Sequence, residues 1–339
     1  MSTLTPPSAP KSDAVTTVPV TLRRPVRVLL RLHRRSLWSV GAFLAVVVAA
    51  LVAAVLRADY LVAEFAKSGC TTIDTEPSCF QPARSYLDSM LEASRISDWA
   101  SLVPVALPAV VGAFVAGPLI AREWENGSFR LSWTQSVSPV QWLTARLAVS
   151  AALGVSGALA LSAVFGWARP RIGVEYPAEW HEPFTFLASG TVPAAGVLLA
   201  VAVGALIGLR LRRTVPALAV SLFVSGLVAT ALVRMRDSLW PTTRDTFAPG
   251  GDYVWPDRAA VVEWGYMTSG GDRLPSTVCA DPAVDFPVCM SEHGVATGYL
   301  DHHPASHFWP LQLVETGILL ALAALAVFAA FRVLRRLHG

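Results

Sequence analysis

Six stretches of about twenty residues, almost free of charge, punctuate the chain at about 37–56, 99–120, 144–167, 189–209, 215–233 and 311–331. A helix needs about 20 residues to cross roughly 30 Å of hydrocarbon at about 1.5 Å per residue. Each stretch therefore predicts one membrane-spanning helix. The first, "LWSVGAFLAVVVAALVAAVL", has no charged residue; the last, "LQLVETGILLALAALAVFAAF", has one, Glu315, toward its outer end. The basic flank of the first resembles that of a cleaved signal peptide, but its apolar core exceeds the usual 7–15 or so residues. It is read here as a retained helix.

The polar segments differ in character. Residues 1–24, beginning "MSTLTPPSAPKSDAVTTVPV", read as a disordered cytoplasmic tail, and 25–339 as one membrane domain. In the loop 57–98, Tyr86, Leu87, Met90, Leu91 and Ile96 recur at helical spacing and predict an amphipathic helix leading into the second span. The loop of about 234–310 is rich in Pro, Gly, Trp and Asp and has no long periodic segment, so a small braced cap is expected there. The fold class is therefore an all-α integral membrane protein. It has six transmembrane helices, cytoplasmic termini and a long disulfide-braced outer loop between helices 5 and 6.

Composition and charge sharpen this picture. The 339 residues are 53% hydrophobic and only 15% charged, where a soluble domain has roughly 25%. The net charge of +3 hides a division. Residues 1–36, 121–143, 210–214 and 332–339, together with Arg146, hold 16 Lys and Arg but only Asp13, Glu123 and Glu125 as acids. The other side holds 11 Lys and Arg and 21 acids. Basic short loops stay in the cytoplasm, so both termini are expected there. The run "RRPVRVLLRLHRR" also suits anionic lipid headgroups. Lysine occurs twice against 25 arginines, a composition that hints at a GC-rich bacterial gene; the expected setting is the bacterial plasma membrane.

Cysteine placement tests the topology independently. Cys70 and Cys79 fall in the first outer loop, Cys279 and Cys289 in the last. Close pairs on the oxidising side predict two local disulfides, each worth roughly 2–3 kcal/mol; the C-x-x-C spacing of a four-cysteine metal site is absent.

Within the spans, Gly204 and Gly208 in "GALIG", and Gly154, Gly157 and Ser162 in "GVSGALALS", make small-residue faces that let helices approach closely. Pro104, Pro108 and Pro118 interrupt the second span and predict a kink, read either as a hinge or as static packing.

Candidate chemistry is sparse. No G-x-x-x-x-G-K-[ST] occurs, and Lys11 and Lys67, the only lysines, lack its glycine frame, which excludes P-loop hydrolysis by this chain. The spans lack the mid-membrane Asp, Glu or Lys of an ion-coupled carrier; Glu315 is expected at the interface. Asp301, His302, His303 and His307 gather in "DHHPASHFWP", but Pro304 intervenes and no H-E-x-x-H frame exists. An interfacial turn that sets Phe308 and Trp309 in the aromatic belt is preferred to a metal site there. The chain reads as catalytically silent, with no metal, no bound cofactor and no nucleic-acid partner.

One inner segment is too elaborate for a connector. "AREWENGSFRLSWTQSVSPVQWLTAR", residues 121–146, carries Trp124, Trp133 and Trp142 with Glu123 and Glu125. Gly127 is a natural helix stop, Ser128 a cap, and Ser138-Pro139 a helix start. Interfacial lipid packing accounts for the tryptophans, though anionic headgroups would repel the acids. A protein partner accounts for both, through aromatic anchors and charge pairing.

This segment resembles the signature of ABC-2-type permeases, the membrane subunits of ATP-binding-cassette exporters. These show R-E-x-E-x-G-[ST] after the second span, filled here by Arg122, Glu123, Glu125, Gly127 and Ser128, and then a P-V-S-like turn. "QSVSPVQWL" stands at that turn, with Ser136 in place of the usual proline. The closing "HPASHFWPLQLVETGILLALA" resembles the sixth-span entry of a subgroup from high-GC bacteria, and the likeness covers essentially residues 25–338. The outer loops are longer and richer in cysteine than in minimal members. The resemblance implies a permease domain over 25–339, a second permease copy or paralogue, and a separate ATPase that uses the ATP. Glu123 and Glu125 would then sit at the ATPase contact, Gly127 and Ser128 would fix the loop, and Trp133 would anchor it. The competing readings are a non-transporting sensor or assembly factor working through its outer loops, and an intramembrane enzyme, which the absence of polar catalytic groups in the spans disfavours.

Overall fold

A computed structural model describes residues 34–127, 138–251, 253–281 and 283–337. The predicted tail 1–24, Ser128 and Trp133 lie outside the described residues. Among those described, six helices are long and apolar enough to cross a membrane: Trp38–Lys67, Pro77–Glu125, Pro139–Ile172, Val192–Leu211, Thr214–Ser238 and Ala305–Arg336.

The helices overrun their apolar cores. Helix α1 (Arg34–Lys67) continues well past residue 56 because "RADYLVAEFAK" is made of good helix formers, and it stops at Gly69 with φ 70°. Pro77 opens α2 (Pro77–Val110) at a position where its missing N–H costs nothing. The loop expected over 57–98 is therefore a short turn, residues 68–76, closed by the Cys70–Cys79 disulfide. The amphipathic face is real: Tyr86 and Met90 pack against Ala58, and the Phe65 ring stacks on Tyr86 at 4.3 Å.

The three prolines bracket a change of helix type. After Pro104 and Pro108 the second span widens into a π-helical turn, Val111–Ala116, and resumes as α3 (Gly117–Glu125) with Pro118 in its first turn. The Gly117 N–H reaches back five residues to the Gly112 carbonyl. Proline removes donors from the α ladder, and a π turn is one way the remaining groups re-pair.

Helix α4 (Pro139–Ile172) forms the third span and a short α5 (Pro183–Ala188) follows it. The fourth span, α6 (Val192–Leu211), is the axis of the bundle: 78% of its most apolar stretch is buried, against 39% at most in the others. Small residues allow this. A Cβ at Gly204 would lie 2.7 Å from the Gly112 carbonyl oxygen and 2.9 Å from the Gly117 nitrogen; one at Gly208 would lie 2.8 Å from the Gly117 carbonyl oxygen. The two backbones touch where the second span is π-helical. Gly154 similarly admits Val197, whereas a Cβ at Gly157 would make only ordinary contacts, 3.8 Å from Leu44 and 4.0 Å from Leu107.

A side chain from the sixth span caps this axis. The Thr191 and Val192 N–H groups donate to Gln312 Oε1 at 3.1 and 3.2 Å, and Gln312 Nε2 donates to the Phe186 carbonyl. A Cβ at Gly190, where φ is 67°, would stand 2.6 Å from that oxygen, so only glycine leaves room. Two otherwise unpaired helix-terminal donors are thereby satisfied inside apolar surroundings.

The all-α expectation is corrected between α7 (Thr214–Met235) and α9 (Phe308–Arg336). The chain there folds into an antiparallel sheet of β1 (Thr243–Phe247), β2 (Ala260–Thr268), β3 (Arg273–Pro275) and β4 (Val295–His303), in the order β1-β4-β2-β3. The strands are rich in Val, Thr, Tyr and Trp, which suit a half-buried pleated surface. A short α8 (Phe286–Glu292) packs beside it; the Cys279–Cys289 disulfide, Tyr266 and Met290 make a small separate core.

A bidentate pair clasps the sheet: Arg244 Nε and Nη2 each donate to an Asp301 carboxylate oxygen at 2.6 Å. These hydrogen bonds hold the Asp301 carboxyl below its ordinary 3.8, against the opposing effect of burial. A depressed acid contributes stability above its unfolded value and loses it as pH falls through the folded value. The clasp is therefore expected to stay intact on acidification to about pH 4 and to open only below it. Arg244→Ala should move the acid loss of the sheet to higher pH, read by hydrogen exchange of β1 and β4. In the bundle, Gly204→Leu should cost about 1–3 kcal/mol or more by overpacking. Gly166→Leu, whose Cβ meets nothing within 4 Å, should be near neutral in the same thermal-unfolding assay.

Candidate functional site

The elbow after the second span is built from a helix that outlasts the membrane. Helix α3 ends at Glu125; Asn126 closes it by donating to the Arg122 carbonyl, and Gly127 turns the chain at φ 68°. The next described element opens with a full capping box. Ser138 Oγ accepts from the Gln141 N–H, Gln141 Oε1 accepts from the Ser138 N–H, and Pro139 occupies the first turn. Both helix signals in the sequence thus operate where they were expected.

The carboxylates are turned inward. Glu123 Oε2 accepts from the Trp142 indole Nε1 at 2.8 Å, while Oε1 accepts from Arg146 Nε at 2.9 Å and from Arg146 Nη2. The Arg146 guanidinium lies 4.3 Å from the Trp142 ring centroid and also donates to the Trp142 carbonyl. Side-chain exposures of 21% for Glu123 and 12% for Arg146 make this a largely desolvated pair. Glu125 is more exposed and accepts from Thr214, through its N–H at 3.1 Å and its hydroxyl at 2.6 Å. The neighbouring Arg212, at φ 53°, ends the fourth span and sets its guanidinium 4.8 Å from the Trp124 ring centroid.

One correction to the sequence reading follows. Trp142 is not an exposed anchor: it is 1% exposed, in a cluster with Ile120, Leu143, Leu209 and Leu334. An indole whose one donor finds a carboxylate can be buried at little cost. Glu123 and Glu125 both have partners within the chain, and Arg122 and Glu125 are the exposed charges of the motif. The elbow is consequently a clamp that ties the end of the second span to the third, fourth and fifth, with Leu334 of the sixth packed beneath it.

Sequence reasoning counted Arg146 only as a charge and did not single out Arg212 or Thr214. The available signal was Arg146 itself, a charge at the mouth of an apolar run and one helical turn after a tryptophan.

At the opposite end, Glu315 is buried within the protein rather than open to solvent. It is 0% exposed, and its Oε1 accepts from Arg236 Nε at 2.7 Å. His303 and His307 face each other through their Nδ1 atoms at 3.0 Å, and His302 is buried. Phe308 packs edge-on to Trp180 and Phe186, while Trp309 is exposed. Among the described residues, the group of three potential metal ligands is instead Cys279, Cys289 and His293, and its two sulfurs form a disulfide.

Glu123→Ala should leave Arg146 largely buried without its carboxylate and cost about 2–4 kcal/mol. Glu125→Ala, at the exposed edge, should destabilise less. Thermal unfolding of the two variants in the same micelle checks the ranking.

Neither a curated protein nor a solved structure matches the chain. A family model described as ABC-2 membrane transporter related matches residues 41–236. That range takes in the first five spans and the elbow clamp, more than half of the chain, and six membrane-capable helices accompany it. The chain belongs to the ABC-2 membrane transporter related family, as a multi-pass permease-type protein.

Proposed function

We propose that the chain is the permease subunit of an ATP-binding-cassette exporter in a bacterial plasma membrane. It forms the substrate pathway with a second copy or a paralogue, and a separate ATPase drives it through residues 121–146. The elbow clamp is the observation that carries this reading. A displacement applied to the turn at Gly127 acts on Glu123 and Glu125, and so on the third span through Arg146 and on the fifth through Thr214. The π turn between Pro108 and Pro118 gives the second span a compliant section just behind that lever.

Orientation follows from charge and redox chemistry. The elbow end is basic, so it faces the cytoplasm and meets the ATPase, with both termini on that side. The acid-rich sheet and both disulfides then face the oxidising exterior. The exposed edge of the elbow, with Arg122 and Glu125, supplies the partner contact, and Trp133 is assigned to that contact by family resemblance.

Gly127→Leu is the test variant. Its Cβ would meet nothing within 4 Å, so the cost is confined to a left-handed backbone, about 1–2 kcal/mol. The tagged wild type, drawn from its native membrane in mild detergent, should retain a stoichiometric P-loop ATPase. The variant should insert and fold but lose that subunit, or keep it while hydrolysis no longer drives export. A wild type that carries no ATPase from membranes expressing one would sink the reading.

A further inference from the structure

The sixth span, α9, sorts its residues by face. Ala326, Ala330 and Leu334 are buried, the last two in one cluster with Leu209 of the fourth span. Leu325, Phe328, Arg332 and Arg335 fall at i, i+3, i+7 and i+10, on a separate stripe, and all four are exposed. Leu325 and Phe328 are each 65% exposed. In a spanning helix an uncovered apolar face of this kind lies against lipid tails. Arg336, also exposed, borders the stripe one turn beyond Arg332. Along one lipid-facing edge, the surface therefore changes from apolar to cationic within about a single helical turn.

Nothing in the chain balances these charges. Arginines at i, i+3 and i+4 are neighbours on a helix surface and repel one another. The helix dipole favours Arg335 and Arg336 in the last turn, but Arg332 stands before that turn. The acids described at this end are spoken for: Glu123 holds Trp142 and Arg146, and Glu125 holds Thr214. Residues 1–33 and 128–137 together add six Lys and Arg and one acid, Asp13. Both segments would repel the stripe, and so would the same face of a second copy. The counter-charge must come from another molecule. Position narrows its nature, because the cations continue a face that lipid covers. A protein arriving from the aqueous side would make no use of Leu325 and Phe328.

We propose that this stripe binds an anionic phospholipid of the surrounding membrane. The phosphodiester accepts hydrogen bonds from the guanidinium groups of Arg332, Arg335 and Arg336, while an acyl chain lies along Phe328 and Leu325. Guanidinium presents forked donors that match phosphate oxygens, and arginines beside a span attract anionic headgroups. A choline headgroup would bring its own cation against the three arginines and is disfavoured. The assignment rests on this face alone; it needs no ATPase and holds for either leaflet.

The full-length protein in phosphatidylcholine nanodiscs would be titrated with phosphatidylglycerol, and native mass spectrometry would count the lipids retained. The wild type should keep phosphatidylglycerol in preference to phosphatidylcholine. The combined variant Arg332→Gln, Arg335→Gln, Arg336→Gln should weaken that retention at least about tenfold. The corresponding triple lysine variant should recover part of it, because the charge remains and the forked donors do not. All three side chains are exposed, so the unfolding midpoint in phosphatidylcholine alone should stay the same. Equal retention of the two lipids by the wild type, or retention that the glutamine substitutions leave unchanged, overturns the proposal. Unchanged retention with loss of a protein that co-purifies from native membranes overturns it in favour of a protein partner.

Discussion

The structure turns on one close approach: the backbone of the fourth span lies against that of the second with no side chain between them. Lipid tails are as apolar as the side chains they compete with, so burial alone does not choose helix partners in a membrane. Contact geometry does. Gly204 and Gly208 open a groove in which Gly112 and Gly117 lie, and Ala200 fills the other side of Gly112. Once that contact is set, the fourth span becomes the axis and the others wrap it. The sixth span reaches over its start with Gln312, and Arg212 turns its end beneath Trp124.

The two ends of the bundle are finished differently. One is held by a carboxylate, an indole and a guanidinium compressed into a single desolvated contact, so the end of the second span cannot move without its neighbours. The other is held by a sheet with its own disulfide and its own small core, resting on the ends of the fifth and sixth spans. A tight clamp opposite a self-supporting cap lets the two ends respond to different forces. That is the arrangement a permease needs if work arrives on one face of the membrane and is used on the other.

Much of this was legible in the chain. The spans announced themselves because twenty uncharged residues have few other uses, and Cys70, Cys79, Cys279 and Cys289 paired as their spacing suggested. The third span began at Ser138 and Pro139 because capping is a local code, written within four residues. What stayed hidden was non-local. The partners of Glu123 lie 19 and 23 residues away, on a different helix, and Glu315 meets an arginine 79 residues earlier. The sheet was missed for the same reason: Thr243 pairs with His302, and strands of three to nine residues leave no period long enough to stand out against Pro and Gly. Spacing told which residues were available, and only the packing of helices decided which of them met.

The wide turn at Val111–Ala116 carries a consequence for how this chain tolerates change. A helix rotates about 100° per residue, and a π turn holds one residue more than the α turn it replaces. Everything beyond it, from Gly117 to Glu125, is therefore rotated by that single surplus residue. Losing one residue there would straighten the span and improve its hydrogen bonding, yet swing Glu123 a quarter-turn away from Arg146. In this stretch the length of the chain is under tighter constraint than the identity of its side chains.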